Sequence, residues 1–371
     1  MRKRESVDCG RSGRRATTSE RPRITVLIGT YNHGAFIGDA VESVLDQDRF
    51  RGGVQIVVVD DGSTDDTRER LQPYESAIDY VYQPNAGQAA AWNLGLSRSH
   101  GEIIALLDAD DTWHRHKLAR VIEEFDKSPE VDVVSHAMTV MSNRGVALAQ
   151  APDFALRPDA LKERRPLGAY LRGRPPILPP TSGIAVRSAV LARITPIPDQ
   201  FRGGKRSPGA DLYVAYLLPF YAREFAFIHE SLGLYRIHGP SLREGGVEHP
   251  DAEYFAAQAR LYLQLCVYVE RAGAEMGWDC GAIRRKFEAI ARQSEVQFYA
   301  RSRKKVRALG LVWSYDDPEF RERPLTRAFR RASLALDVLM PSGPYSALRS
   351  WYRKSWLFRL MHRGRHCHVG E

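Results

Sequence analysis

Three carboxylates crowd the end of one apolar run. In IIALLDADDTW, residues 103–113, the stretch Ile103 to Leu107 reads as a buried strand, and Asp108, Asp110 and Asp111 follow within four positions. Carboxylates this close repel one another, so the cluster calls for a positive partner. A divalent cation suits it. Mg²⁺ and Mn²⁺ favour oxygen ligands, and Mg²⁺ commonly takes one or two protein carboxylates and fills its shell with substrate phosphates. The partner implied is a metal–diphosphate. A plainer alternative is a solvated turn opening a helix, where acidic residues are equally at home. A second acidic turn, DDGSTDD, starts at Asp60 and Asp61, with Gly62 and Ser63 tightening it. There is no GxxxxGK[ST] to hold a triphosphate and no GxGxxG after the first strand, which argues against P-loop NTPases and dinucleotide dehydrogenases.

The elements that must position these groups alternate two hydrophobic periods. ITVLIG (24–29) reads as a strand, and Phe36, Ile37, Ala40, Val41, Val44 and Leu45 then recur at helical spacing. VQIVVVD (54–60) is a near-continuous apolar run, the pattern of a strand buried on both faces. A helix near 64–71, a strand at 78–83, a helix at 87–99, the 103–107 strand and a helix at 114–125 complete four βα units. That order predicts an α/β fold: a doubly wound, mainly parallel sheet with helices on both faces. In such sheets ligands bind beyond the carboxyl ends of the strands. TYNHG, DDGSTDD, PNAGQ and DADD all fall there. Further on, 131–141 reads as a strand, 152–180 as a Pro/Arg-rich loop, 181–186 as a strand, 211–222 as a short apolar helix and 225–239 as a strand pair or strand and turn. A helical C-terminal region runs from about 252 to 339.

Taken together, ITVLIGTYNHGAFIGDAVESVLDQ, VQIVVVDDGSTDDT and PNAGQAAAWNLGLSRSHGEIIALLDADD resemble the nucleotide-sugar half of a family-2 glycosyltransferase of the GT-A fold. The resemblance is strong over 24–140 and continues more weakly to about 241. It implies nucleotide contacts from Thr30, Tyr31, Asp60 and Asp61, with Gln88 near the base or phosphates. It maps the DxD motif to Asp108, on the nucleotide, and Asp110, on Mn²⁺ or Mg²⁺; Asp111 either joins them or caps the next helix. In the second half, SPGADLYVAYLL resembles the segment whose Asp takes the acceptor proton, which makes Asp211 the candidate base. Ala210 stands where the family commonly has Glu, and a helix N-cap is the competing role for Asp211. LYRIHGPSL makes His238 a candidate for the metal or diphosphate. The implied reaction is inverting transfer from a nucleoside-diphosphate sugar to a saccharide or lipid-linked acceptor, as in cell-surface polysaccharide synthesis. Two other readings stand beside it: a nucleotide-sugar-binding protein without catalysis, and a phosphotransferase with an Asp nucleophile.

Charge divides the chain of 371 residues, net +9. Residues 1–23 carry eight Lys/Arg against three acidic groups, and 321–371 carry eleven against three, so the body between is mildly acidic. The expected organisation is a basic disordered arm (1–22), a glycosyltransferase domain (23–245, divided near 140 into nucleotide-sugar and acceptor halves) and a helical, basic C-terminal region (246–371). The arm has no apolar core and so does not read as a secretory signal. No apolar run approaches the roughly 20 residues that span a bilayer. Cys9, Cys266, Cys280 and Cys367 form no CxxC pair, which fits a reducing cytoplasm. The aromatic and basic segment 346–365 suits either a packed terminal helix or contact with an anionic inner membrane face. No nucleic-acid motif accompanies it.

Overall fold

The structure is a computed structural model, and it describes residues 21–142, 144–146, 167–171, 180–203, 209–237, 252–302, 307, 308, 311 and 312. The first half follows the expected alternation: β1 (Ile24–Thr30), α1 (Ile37–Leu45), β2 (Val54–Asp60), α2 (Thr67–Leu71), β3 (Asp79–Tyr82), α3 (Gln88–Arg98) and β4 (Ile103–Asp108). These four strands are parallel, in the order β3-β2-β1-β4. A two-residue strand β5 (Thr112–Trp113) follows, then α4 (Lys117–Lys127), β6 (Val131–Ser142), α5 (Leu167–Leu171), β7 (Ile184–Arg187), α6 (Ser188–Leu191), α7 (Ala210–Tyr221) and β8 (Glu224–Ile237). The sheet continues from β4 as β7-β6-β8-β5, with β7 antiparallel to both neighbours and β6 parallel to β8. Helices α8 (Ala252–Met276) and α9 (Gly281–Arg301) complete the described chain. The doubly wound sheet and the helical region after it are both present.

Both sheet faces are dry, which is why the strands read as unbroken apolar runs. Val26, Ile28, Val58 and Leu107 face α1 and α4, packing with Val41, Leu118 and Phe125. Their alternate neighbours Leu27, Val57, Val59 and Leu106 face the other side, packing with Trp92, Leu217, Leu265 and Phe287. Each such side chain contributes about 1.5–3 kcal/mol by leaving water. The helical region is therefore continuous with the core beneath α3 and α7. Trp92 is core, as its helical setting suggests.

Two segments depart from the expectation. Residues 225–237 form one long strand, not a pair. His136 stands opposite Ile228 and Ala137 opposite Ser231, so His229 and Glu230 bulge out of the ladder, and this polar interruption imitates a turn in sequence. Strand β5 has only two residues, too few for periodicity to register. Among the described residues its strand pairing is with β8, through Thr112↔Leu234 and Trp113↔Gly233. The 152–180 loop (Pro180 apart from it, and the short α5 within it), the 1–20 arm and the basic segment 346–365 lie outside the described residues or mostly so.

Candidate functional site

The loops closing β1 and β2 are laced together. Asn32 sits at φ 56°, a conformation asparagine tolerates. Its amide donates to Ser63 Oγ at 2.9 Å and its Oδ1 accepts from the Thr64 amide at 2.7 Å. Thr30 is buried, its carbonyl accepts the Asp61 amide at 2.9 Å, and its Oγ1 has no hydrogen-bond partner among the described residues. Tyr31, the next residue, is 46% exposed.

The acidic pair after β2 is buried and satisfied by protein donors. Asp60 accepts from the Ser63 amide at 2.8 Å and from the Tyr80 hydroxyl at 2.9 Å. Asp61 accepts from Gln83 Nε2 at 2.6 Å and from the amides of Ala86 and Gly87, each at 2.8 Å. Asp61 thus moulds the loop after β3 into a fixed shape. At the same corner Gly62 turns at φ 81°, and a side chain there would meet the Asn85 amide at 2.5 Å.

At the end of β4 the carboxylates meet an arginine that the sequence reading did not single out. Arg236, 3% exposed on β8, donates from its amide to Asp111 Oδ1 at 2.9 Å and from Nε to the Asp110 carbonyl at 2.8 Å. Its Nη2 reaches Asp39 Oδ2 at 2.8 Å and its guanidinium lies over Phe36. Asp111 is fully buried and accepts from Ser182 Oγ at 2.5 Å, while that same hydroxyl accepts the Asp108 amide at 3.0 Å. Burial, reinforced by the charges of Asp110 and Asp108, holds the Asp111 carboxyl well above the usual range. Asp111 is therefore a tie across the turn. It does not cap α4, whose N-cap is His116. Asp108 and Asp110 are half-buried at the strand edge.

Among the described residues no three His, Cys, Asp or Glu side chains gather into a ready-made metal cage. The donor chemistry that remains, two carboxylates at an open strand end, suits a hard divalent cation that takes its other ligands from a diphosphate and water. The residues therefore fit Mn²⁺ or Mg²⁺ shared with substrate. His238 lies outside the described residues.

On the second half of the site, α7 begins at Ala210, with Gly209 as its N-cap. Asp211 is thus one residue inside the helix, and the cap position is not its own. Gln88, at the start of α3, lies against this helix: its Oε1 accepts the Ala210 backbone amide at 2.9 Å and its own backbone amide donates to the Arg202 carbonyl at 2.5 Å. Arg202 Nε donates in turn to the Ala86 carbonyl at 3.0 Å. The structure therefore brings Thr30, Tyr31, Asp60, Asp61, Gln88, Asp108, Asp110 and Asp211 to the carboxyl ends of the parallel strands and the loops that follow them. It engages Gln88 with α7. Arg236, Ser182, Tyr80 and Arg202 were missed. Only Arg236, a lone cation in an apolar strand, left any trace in the sequence.

With this geometry in place, comparison with known proteins shows what the chain is similar to. Residues 25–169 match the glycosyl transferase family 2 profile. An uncharacterized glycosyltransferase of Nostoc sp. is 36% identical over 222 residues, covering 58% of this chain and 65% of that one. TuaG of Bacillus subtilis, named for teichuronic acid biosynthesis, is 36% identical over 153 residues, covering 39% of this chain and 59% of that one. The chain thus spans less than two thirds of the length of each of these relatives. Among solved structures, the mannosyltransferase PcManGT of Pyrobaculum calidifontis, in complex with GDP-Man and Mn²⁺, aligns at 21% identity over 90% of this chain and 84% of that one, with a TM-score of 0.48.

Proposed function

We propose that the chain transfers a sugar from a nucleoside-diphosphate sugar to a hydroxyl of a saccharide or lipid-linked acceptor, inverting the anomeric centre. One observation carries this reading: the turns ending β1, β2 and β4, the loop after β3 and the first turn of α7 meet at one sheet edge, tied by Asp61, Gln88 and Arg236. Thr30, Tyr31, Asp60 and Asp61 form the nucleotide side, where the exposed Tyr31 ring offers a face to a base. Asp108 and Asp110 would hold the Mn²⁺ or Mg²⁺ diphosphate, with His238 as a further ligand. When bound, the cation would offset charge growing on the departing nucleoside diphosphate. Asp211 accepts the acceptor hydroxyl proton as the oxygen bonds to the anomeric carbon. The bond to the diphosphate breaks on the opposite face, so a single displacement inverts the centre.

The relation to TuaG supports a role in cell-surface polysaccharide synthesis. No helix among the described residues is long and apolar enough to cross a membrane. We infer a cytoplasmic site of action, at the inner membrane face where the acceptor is lipid-linked and the basic C-terminus can touch anionic headgroups.

The test is thermal stability with UDP, GDP and their sugar conjugates, each with Mn²⁺ and with EDTA. One nucleotide should raise Tm only with metal, by several degrees at a hundredfold excess over Kd, since such an excess stabilises by about 2.7 kcal/mol. Asp110→Asn should abolish the shift. Asp211→Asn should keep it and lower turnover by roughly 10² to 10⁴. A folded protein that responds to none of these nucleotides would overturn the reading.

A further inference from the structure

Helix α7 starts with a deficit. Its first amides need acceptors, and the residue at its N-cap is Gly209, which has no side chain to supply one. Gln88 supplies it from another element, with Oε1 2.9 Å from the Ala210 nitrogen. The fit depends on the glycine. A methyl group added at Gly209 would fall 1.8 Å from Gln88 Oε1 and 3.3 Å from Asp211 Oδ1. The Gln88 oxygen and the Asp211 carboxylate therefore border the same small space.

The other end of this contact leads back to the donor side. The backbone amide of Gln88 donates to the Arg202 carbonyl, and Arg202 Nε donates to the Ala86 carbonyl. The amides of Ala86 and Gly87 are fixed by the buried carboxylate of Asp61. The second anchor of α7 lies behind the cap: Tyr213 packs against Phe201 and Tyr268 with ring centroids 4.8 and 5.4 Å away. The first turn of α7 is thus held on one side by the aromatic cluster and on the other by Gln88.

We propose that Gln88 is a positioning residue: it caps α7 from across the site and sets where Asp211 stands relative to the loop that Asp61 organises. This rests on the reading of Asp211 as the base. It also reassigns Gln88, which the family resemblance would put on the nucleotide. The carboxamide oxygen is engaged by α7, so its loss should leave nucleotide affinity in place and disturb the base.

Gln88→Leu removes the acceptor, Gln88→Glu keeps an acceptor oxygen and adds a charge beside Asp211, and Asp211→Asn serves as the reference. The first readout needs no substrate: amide hydrogen exchange over 209–221 in the full chain. Gln88→Leu should speed exchange in the first turn of α7 by roughly fivefold to tenfold, the effect of losing a cap, and Gln88→Glu should restore it. The second is UDP–Mn²⁺ and GDP–Mn²⁺ affinity, expected within twofold of wild type in both Gln88 variants. The third is nucleoside diphosphate release from whichever donor shifted Tm. There kcat should fall at least tenfold in Gln88→Leu, and the acidic limb of its pH profile should move to higher pH in Gln88→Glu, because a like charge raises the pKa of a neighbouring carboxyl. Unchanged exchange in Gln88→Leu overturns the cap. A tenfold loss of nucleotide affinity with normal kcat returns Gln88 to the nucleotide and overturns the positioning role. Full turnover by Asp211→Asn sinks the base and the positioning role with it, whereas an inactive Asp211→Asn beside a normal Gln88→Leu sinks the positioning role alone.

Discussion

Replacing Lys117 by Met should stabilise the protein, and by an amount that depends on pH. Lys117 opens α4 and is fully buried, with Nζ 3.2 Å above the Trp113 ring and no hydrogen-bond partner among the described residues. Two effects compete. A cation over an indole gains about 0.5–2 kcal/mol. Removing an ammonium from water costs several kcal/mol even after relaxation. Desolvation wins, and burial pushes the Lys117 amine well below its usual 10.5. The unfolded chain then binds one more proton than the folded one at any pH between the depressed value and 10.5. Stability from this residue therefore rises with pH through that window, by about 1.4 kcal/mol per unit. Methionine fills the space with no titration and keeps a favourable sulfur–ring contact. Urea unfolding of wild type and Lys117→Met at pH 8 and pH 9 isolates the residue, because every other titrating group cancels in the difference. The advantage of the variant should shrink by about 1.4 kcal/mol between those two pH values. A difference that stays constant would mean that the amine is charged inside the fold, and the desolvation argument would be refuted.

The same corner sets an acid limit. His136 is buried, donates from Nδ1 to the Ala137 carbonyl, and is held down to about 3 chiefly by burial. The unfolded imidazole protonates near 6.5, so stability is lost as pH falls below that value, about 2 kcal/mol by pH 5. His136→Gln should lose correspondingly less between pH 7 and pH 5 in urea titrations; an equal loss would show that this imidazole titrates normally. Arg236→Met should destabilise by about 2 kcal/mol, mostly by stranding the Asp110 carbonyl, since Asp39 is exposed and its ion pair contributes little. It should also weaken Mn²⁺-dependent nucleotide binding in calorimetry, and Arg236→Lys should not restore that binding, because an ammonium cannot span both contacts.

The parallel half of the sheet was legible because a strand buried on both faces leaves an unbroken apolar run, as in VQIVVVD, and helices between such runs show a different period. The acidic turns were legible because carboxylates at a strand end contradict the pattern before them. What those carboxylates do was not. Asp61, Asp110 and Asp111 look alike in sequence, yet one shapes a loop, one stands at the strand edge and one ties the turn to Ser182 and β8. That division depends on residues 22 to 125 positions away, and local spacing carries no information about them. Asp211 could equally have been a cap until Gly209 was seen to hold that place. The β8 bulge was hidden for the opposite reason: His229 and Glu230 give a local polar signal that the long strand overrides.

The placement of β8 has a consequence for how the protein is made. Strand β5, directly after the Asp108–Asp111 turn, pairs among the described residues only with β8, more than a hundred residues later. On the ribosome the four parallel strands can assemble early from near neighbours. The turn that carries the carboxylates must wait for Gly233, Leu234 and Arg236 to emerge, a closure of high sequence separation and correspondingly slow. A chain released before β8 would lack Ile228, Leu232, Leu265 and Phe287 from the two faces of the core as well as the partner of β5. The acidic turn is in this way completed only once β8 has emerged, whereas the turns that end β1 and β2 depend on near neighbours alone.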